Sequence, residues 1–299
     1  MIYLLLTILA NVSIFMAFRS FSKYNINTFP AIITNYLVCV ITGSLYAGPQ
    51  NVISRVSTEQ PWFNSAFLIG IVFVSTFYLM AKTTQLRGVA TATVASKMSL
   101  AIPVVFSLFI FKIGANSLDL WNYLGIILTF VAIILVTKRQ TTFSNDQVRS
   151  FKFFILPFSI FLLGGLIDTS LNYVNHTWLA EDTSAIFTIV VFGFAFIIGF
   201  TIILVKKIKF RTRDILAGVA LGIPNFFSIY FQLKALSAFD NNGALLYPSL
   251  NIGIIIGSTL AAILFFKEHL SKVNKVGISI AILAILLLSH QAVINFFST

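Results

Sequence analysis

Hydrophobic residues in this chain run in long blocks, and polar residues are largely confined to the short stretches between them. Ten apolar segments can be drawn, at 2–18, 30–47, 63–81, 89–111, 120–136, 153–171, 186–205, 215–233, 245–266 and 273–289. Each approaches the roughly 20 apolar residues that a helix needs to cross a bilayer at about 1.5 Å per residue. The pattern predicts an all-α polytopic membrane protein of ten transmembrane helices. One sizeable connection, KRQTTFSNDQVRSFK (138–152), lies at the centre of the chain. No stretch is long and polar enough to form a separate soluble domain.

The central loop divides two related halves, 1–137 and 153–299. Sliding the sequence by 152 residues superposes Gly70 on Gly222, Ile71 on Ile223, Tyr78 on Tyr230 and Lys82 on Lys234. The same offset pairs Leu118, Asn122 and Gly125 with Leu270, Asn274 and Gly277. Between these blocks, Lys112 and Lys267 need a three-residue slip, which is undone by Asn122 and Asn274. Five spans is an odd number, so the second half must enter the membrane upside down. Two inverted five-helix repeats follow, with a pseudo-two-fold axis in the membrane plane.

Charge orients the chain. Odd-numbered loops carry sixteen Lys and Arg residues, whereas even-numbered loops carry only Arg55, Lys112 and Lys234. The positive-inside rule places the odd loops in the cytoplasm and both termini outside. Composition agrees with a membrane setting, since 10% of residues are charged, against about 25% in soluble domains. The net charge of +11 resides mainly in the short loops. It therefore reads as a topology and headgroup signal, and not as a nucleic-acid surface. The first segment begins without a basic n-region or a small-x-small cleavage site, which predicts a retained span and not a signal peptide. Cys39 is the single cysteine, so it can form no internal disulfide and reads as a small packing residue.

Several polar residues interrupt the apolar segments. Lys97 falls near the middle of the fourth, where an ammonium costs roughly 2.5–3.5 kcal/mol unless it faces a cavity or a partner. Thr93 lies one turn earlier on the same face, with Ser96 adjacent. Pro103 removes a backbone donor six residues later, which predicts a bend or break beside the charge. In the sixth segment Asp168, Asn172 and Asn175 share one helical face, a row suited to a wet path or to a polar seam between helices. Asn225, Ser228 and Gln232 repeat that pattern after Pro224. Tyr247, Pro248 and Asn251 fall where the repeat places Ala95, Ser96 and Ser99, while the partner of Lys97 is Ser249. The two half-sites therefore differ in charge. Such a pocket would bind a polar solute one way round, with Lys97 meeting a carboxylate or another anion. Asn11 and Asn35 read as helix–helix hydrogen bonds, and Tyr78 and Tyr230 as interfacial aromatics.

Chemistry of other kinds has no foothold in the sequence. It contains no GxxxxGK[ST] loop, no HExxH, no GxSxG and no histidine spacing suited to a metal. No cofactor is implied. The partners expected are a small-molecule substrate, the lipid bilayer and a coupling proton that Asp168, His176 or Lys97 could carry. A monomer suffices, because both halves of a pathway lie in one chain, and a dimer is compatible with that.

The stretches GIVFVSTFYLMAKTTQLRGVATATVASKMSLAIPVVFSLFIFK and LGIPNFFSIYFQLKALSAFDNNGALLYPSLNIGIIIGSTLAAILFFKE, set in ten spans, resemble the EamA-like permeases of the drug/metabolite transporter superfamily. The second stretch ends in the FFKE that closes the penultimate span in many such proteins. In the first half the acid after Lys112 is replaced by Ile113. The resemblance implies a carrier in the inner membrane of a bacterium, working by alternating access. It implies a substrate site between the two halves, built from Lys97, Ser96, Asn225, Pro248 and Asn251. The prolines Pro103, Pro224 and Pro248 are the candidate hinges. Members are often described with cytoplasmic termini, a point on which the loop charges here differ. The function expected is secondary transport of a small polar metabolite, an amino acid or other carboxylate-bearing solute. The alternatives are export of cationic drugs, or a membrane enzyme or sensor that does not transport.

Overall fold

The computed structural model describes residues 2–102, 119–137, 149–180, 183–239 and 243–290. They are mostly helical, with no strand among them. In chain order the helices are α1 (Ile2–Lys23), α2 (Thr28–Ala47), α3 (Pro49–Arg55), α4 (Phe63–Arg87), α5 (Val89–Lys97), α6 (Leu120–Thr137), α7 (Arg149–Thr177), α8 (Ser184–Lys206), α9 (Thr212–Ala238), α10 (Gly243–Phe266) and α11 (Lys272–Leu288). A 3₁₀ turn, Met98–Leu100, follows α5. Eight helices among the described residues are long and apolar enough to cross a membrane. Helix α11, with 17 residues, sits at the short end of the spanning range. The expected fourth span is described only as far as Ile102.

Two details differ from the sequence reading. Helix α7 begins at Arg149, inside the expected central loop. Pro224 and Pro248 lie within α9 and α10, which continue through them and do not break. A missing N–H is tolerated there because neighbouring helices supply most of the packing energy. Pro103 lies outside the described residues.

The chain forms two compact units that cut across the sequence halves: Met1–Lys82 with Ser170–Asn241, and Thr83–Thr169 with Asn242–Thr299. In the first unit α2 packs against α8 and α9, and α1 packs against α9. Small residues permit the close approach. A Cβ on Gly222 would lie 2.6 Å from that of Val38 and 2.8 Å from the Asn35 carbonyl oxygen. Gly70, its partner at offset 152, meets α8 in the same manner, 3.1 Å from the Val191 oxygen. A buried polar clasp reinforces the α2–α9 contact. Asn225 donates to Asn35 Oδ1 at 3.1 Å, and the Cys39 thiol donates to the Gly222 carbonyl at 3.3 Å.

At one end of this unit Asp214 ties the α1–α2 connection to the start of α9. Its wholly buried carboxylate accepts from the Asn27 amide at 2.7 Å and from the Arg211 guanidinium at 2.8 and 2.9 Å. Arg211 reaches on to the Asn25 carbonyl at 3.0 Å. Truncating Asp214 would strand several donors at once. Asp214→Ala is expected to lower the melting temperature of the detergent-solubilised protein by about 5 °C, whereas Arg213→Ala, one position earlier, leaves it unchanged.

In the second unit α6 and α11 form an antiparallel pair whose contacts are reciprocal at offset 152. The Asn122 side chain donates to the Leu288 carbonyl at 3.2 Å, and that of Asn274 donates to the Val136 carbonyl at 2.8 Å. A Cβ on Gly125 would meet the Leu288 amide nitrogen at 3.1 Å, and one on Gly277 would meet that of Val136 at 2.9 Å. Even the helix starts match. Asp119 accepts from the Asn122 amide at 3.0 Å, and Ser271 accepts from the Asn274 amide at 3.0 Å. Helix α5 packs between this pair and α10.

Candidate functional site

The start of α5 is fixed by an acid from elsewhere in the same unit. Gly88 adopts φ +92°, and a Cβ there would strike the Glu268 carboxylate. Glu268 instead accepts the Val89 amide hydrogen at 3.1 Å, a favourable place for a negative charge at a helix N-terminus. Glu268 is the acid of the FFKE stretch. It therefore helps to place the helix that carries Lys97.

Lys97 ends α5 and is only 8% exposed. The α-helix tightens into the 3₁₀ turn immediately afterwards, the kind of irregularity that often accompanies a functional position. The Asp168 charge lies close enough to act on the Lys97 ammonium. Helix α7 runs on to Thr177, nine residues beyond Asp168, so the carboxylate sits within a spanning segment and not at its edge. Ser99 Oγ lies 3.1 Å from the Asp168 carboxylate, and the Tyr247 hydroxyl donates to the Asp168 main-chain oxygen at 3.3 Å. Asn251 donates to the Lys97 carbonyl at 3.0 Å, and Ser258 reaches Thr93 at 3.0 Å. Thr93 and Ser96 are buried on α5.

The expected site residues thus divide. Lys97, Thr93, Ser96, Asp168, Tyr247 and Asn251 come together in the second unit. Asn225 and Ser228 belong to the first, where Asn225 holds Asn35 and Ser228 bonds back to the Asn225 carbonyl. The Asn225 bond forms part of the α2–α9 clasp, and the Ser228 bond stays within α9. Asn172 and Asn175 fall in the last turns of α7, which also belong to the first unit. Pro248 stands inside α10, between Tyr247 and Asn251, and is buried.

Ser99, Ser258 and the Gly164–Gly165 pair were not singled out as site residues from sequence. A Cβ on Gly164 would lie 3.3 Å from Ser99 Oγ, and one on Gly165 would lie 2.6 Å from Ile102 Cβ. The two glycines let α7 run close against the 3₁₀ segment and bring Asp168 to Ser99. Paired small residues in an apolar helix were the available signal.

Eight long apolar helices among the described residues, with a buried lysine and a half-buried aspartate set among apolar segments, define the class: a polytopic helical membrane protein. Comparison with known proteins bears on the architecture. An uncharacterized protein of Haemophilus influenzae is 25% identical over 294 residues, covering 96% of this chain and 97% of its own length. A crystal structure of a protein with 15% sequence identity superposes with a TM-score of 0.60, over 97% of this chain and 96% of that one, so the two share a fold. No family model matches the chain.

Proposed function

We propose that the protein is a secondary carrier of the EamA-like permease type, with ten spans arranged as two inverted five-helix repeats. It moves a small polar metabolite bearing a carboxylate across a bacterial inner membrane by alternating access. The observation that carries this reading is Lys97, a buried lysine acted on by Asp168, with Ser99 and Tyr247 bonded to Asp168 and Asn251 bonded to the Lys97 main-chain carbonyl. Burying such a charge is costly, and in membrane proteins it usually marks a substrate or ion path. The reciprocal α6–α11 contacts support the repeat, since a local two-fold relation is what inverted halves produce. An ammonium in this position attracts a carboxylate and repels a cationic drug. The basic loops support a topology with odd loops in the cytoplasm.

Reconstitution tests the reading. Proteoliposomes holding the purified protein should accumulate or release a radiolabelled amino acid or organic acid faster than protein-free vesicles, and the same unlabelled solute should compete. Flux indistinguishable from empty vesicles across amino acids, organic acids and quaternary amines, under both inward and outward proton gradients, would overturn it.

A further inference from the structure

The first unit contains a cavity of about 220 Å³ where the end of α2, helix α3, the first turn of α8 and the later part of α9 meet. Tyr46, Asn51, Arg55, Ile186, Tyr230 and Lys234 line it, and no carboxylate does so among the described residues. Its chemistry is unexpected for this face of the protein. Of the three basic residues that the sequence assigns to even-numbered loops, Arg55, Lys112 and Lys234, two converge here, Arg55 at the end of α3 and Lys234 within α9. Scattered topology charges would not produce that convergence.

The remaining wall also suits an anion. The Tyr46 hydroxyl donates to that of Tyr230 at 3.2 Å, with ring centroids 5.0 Å apart, so the Tyr230 hydroxyl proton is left to donate onward. Lys234 follows Tyr230 by one helical turn and therefore shares its face. Thr183, at the start of α8, makes no side-chain capping bond to the helix amides and instead engages Ala180. The positive end of a 23-residue helix thus reaches the cavity through Ala185 and Ile186. Arg55 and Lys234 each engage other neighbours, but a guanidinium has five N–H donors and an ammonium three, so a ligand can share them. The volume lies below the roughly 300–1,000 Å³ of pockets for drug-sized ligands, which restricts the occupant to a small group.

We propose that this cavity binds a compact oxyanion, a carboxylate or phosphate group, between the Arg55 guanidinium and the Lys234 ammonium. The site is independent of the Lys97 network and holds whether or not that network transports anything. The oxyanion belongs either to a free solute or to an anionic lipid headgroup.

The full chain in a neutral detergent, titrated with sodium succinate or inorganic phosphate at constant ionic strength against chloride, reports on free solutes. A saturable rise in melting temperature is expected with at least one of them. Arg55→Gln and Lys234→Gln should each weaken the apparent affinity about tenfold, the effect of one charge-assisted hydrogen bond. Tyr230→Phe should weaken it by a smaller factor, and it keeps the test open if a charge variant fails to fold. In nanodiscs, replacing part of the phosphatidylcholine with phosphatidylglycerol should stabilise the wild type but not the Arg55→Gln/Lys234→Gln variant if the lipid phosphate is the occupant. Either variant-sensitive response supports the site. Two results would overturn it: an anion response of equal size in wild type and the charge variants, or no response to any of the three anions.

Discussion

Lys97→Ala is expected to abolish the proposed carboxylate flux in proteoliposomes, and Asp168→Asn to do the same while costing more stability. These are the largest functional losses expected. Lys97 is nearly sealed from solvent, and Asp168 is the charge that acts on it. Neutralising Asp168 leaves an ammonium in a low-dielectric interior without its counter-charge, which costs about 3–5 kcal/mol. Removing Lys97 is cheaper, because Asp168 is only half-buried and keeps part of its hydration, whereas Lys97 is buried. A double variant, Lys97→Met/Asp168→Asn, separates folding from transport. Eliminating both charges relieves the desolvation penalty, so its melting temperature should return towards that of the wild type. Its flux should remain at background, since no cation is left to meet a substrate carboxylate. Recovery of flux along with stability would show that the pair is structural and would remove the basis for the carrier site.

The second large effect concerns the reciprocal helix pair. Gly277→Ala is expected to destabilise the protein by about 2–4 kcal/mol. Its new Cβ would lie 2.6 Å from Val136 Cγ2 and 2.9 Å from the Val136 backbone nitrogen, and a backbone atom cannot swing aside. The helices must part, which also stretches the 2.8 Å bond from Asn274 to the Val136 carbonyl. Gly125→Ala should cost a similar amount, because it meets Leu288 at the matching position. Gly193→Ala is the control, since nothing lies within 4 Å of a Cβ there. Melting temperatures of the three variants in one detergent decide the matter. Equal values for Gly193→Ala and Gly277→Ala would contradict the close packing described.

Much of the candidate site was legible in the chain because membrane burial makes polar residues conspicuous. Lys97, Asp168, Tyr247 and Asn251 stood out as interruptions in apolar runs, and the structure gathers all four. Asn225 and Ser228 stand out in the same way but lie in the first compact unit, where Asn225 bonds to Asn35. An amide that binds a ligand and one that clasps a neighbouring helix present the same letter at the same helical position. Only the contact with Asn35 distinguishes them. Ser99 and Ser258 escaped notice for the opposite reason, since a hydroxyl that can bond back to its own helix is unremarkable in a span. The Arg55–Lys234 cavity was hidden more deeply, because its cations lie 179 positions apart and read as loop charges.

The sequence by itself determined the helical class, the membrane setting and the positions of most spans, because length and apolar continuity are local properties that the bilayer reads directly. It also carried the offset of 152, which reappears as paired hydrogen bonds between α6 and α11. Only the tertiary structure decided which helices keep company. The compact units mix segments from both halves, because partner choice depends on where glycines admit a backbone and where a donor finds its acceptor. Those matches join residues far apart in the chain, and no periodicity along it records them.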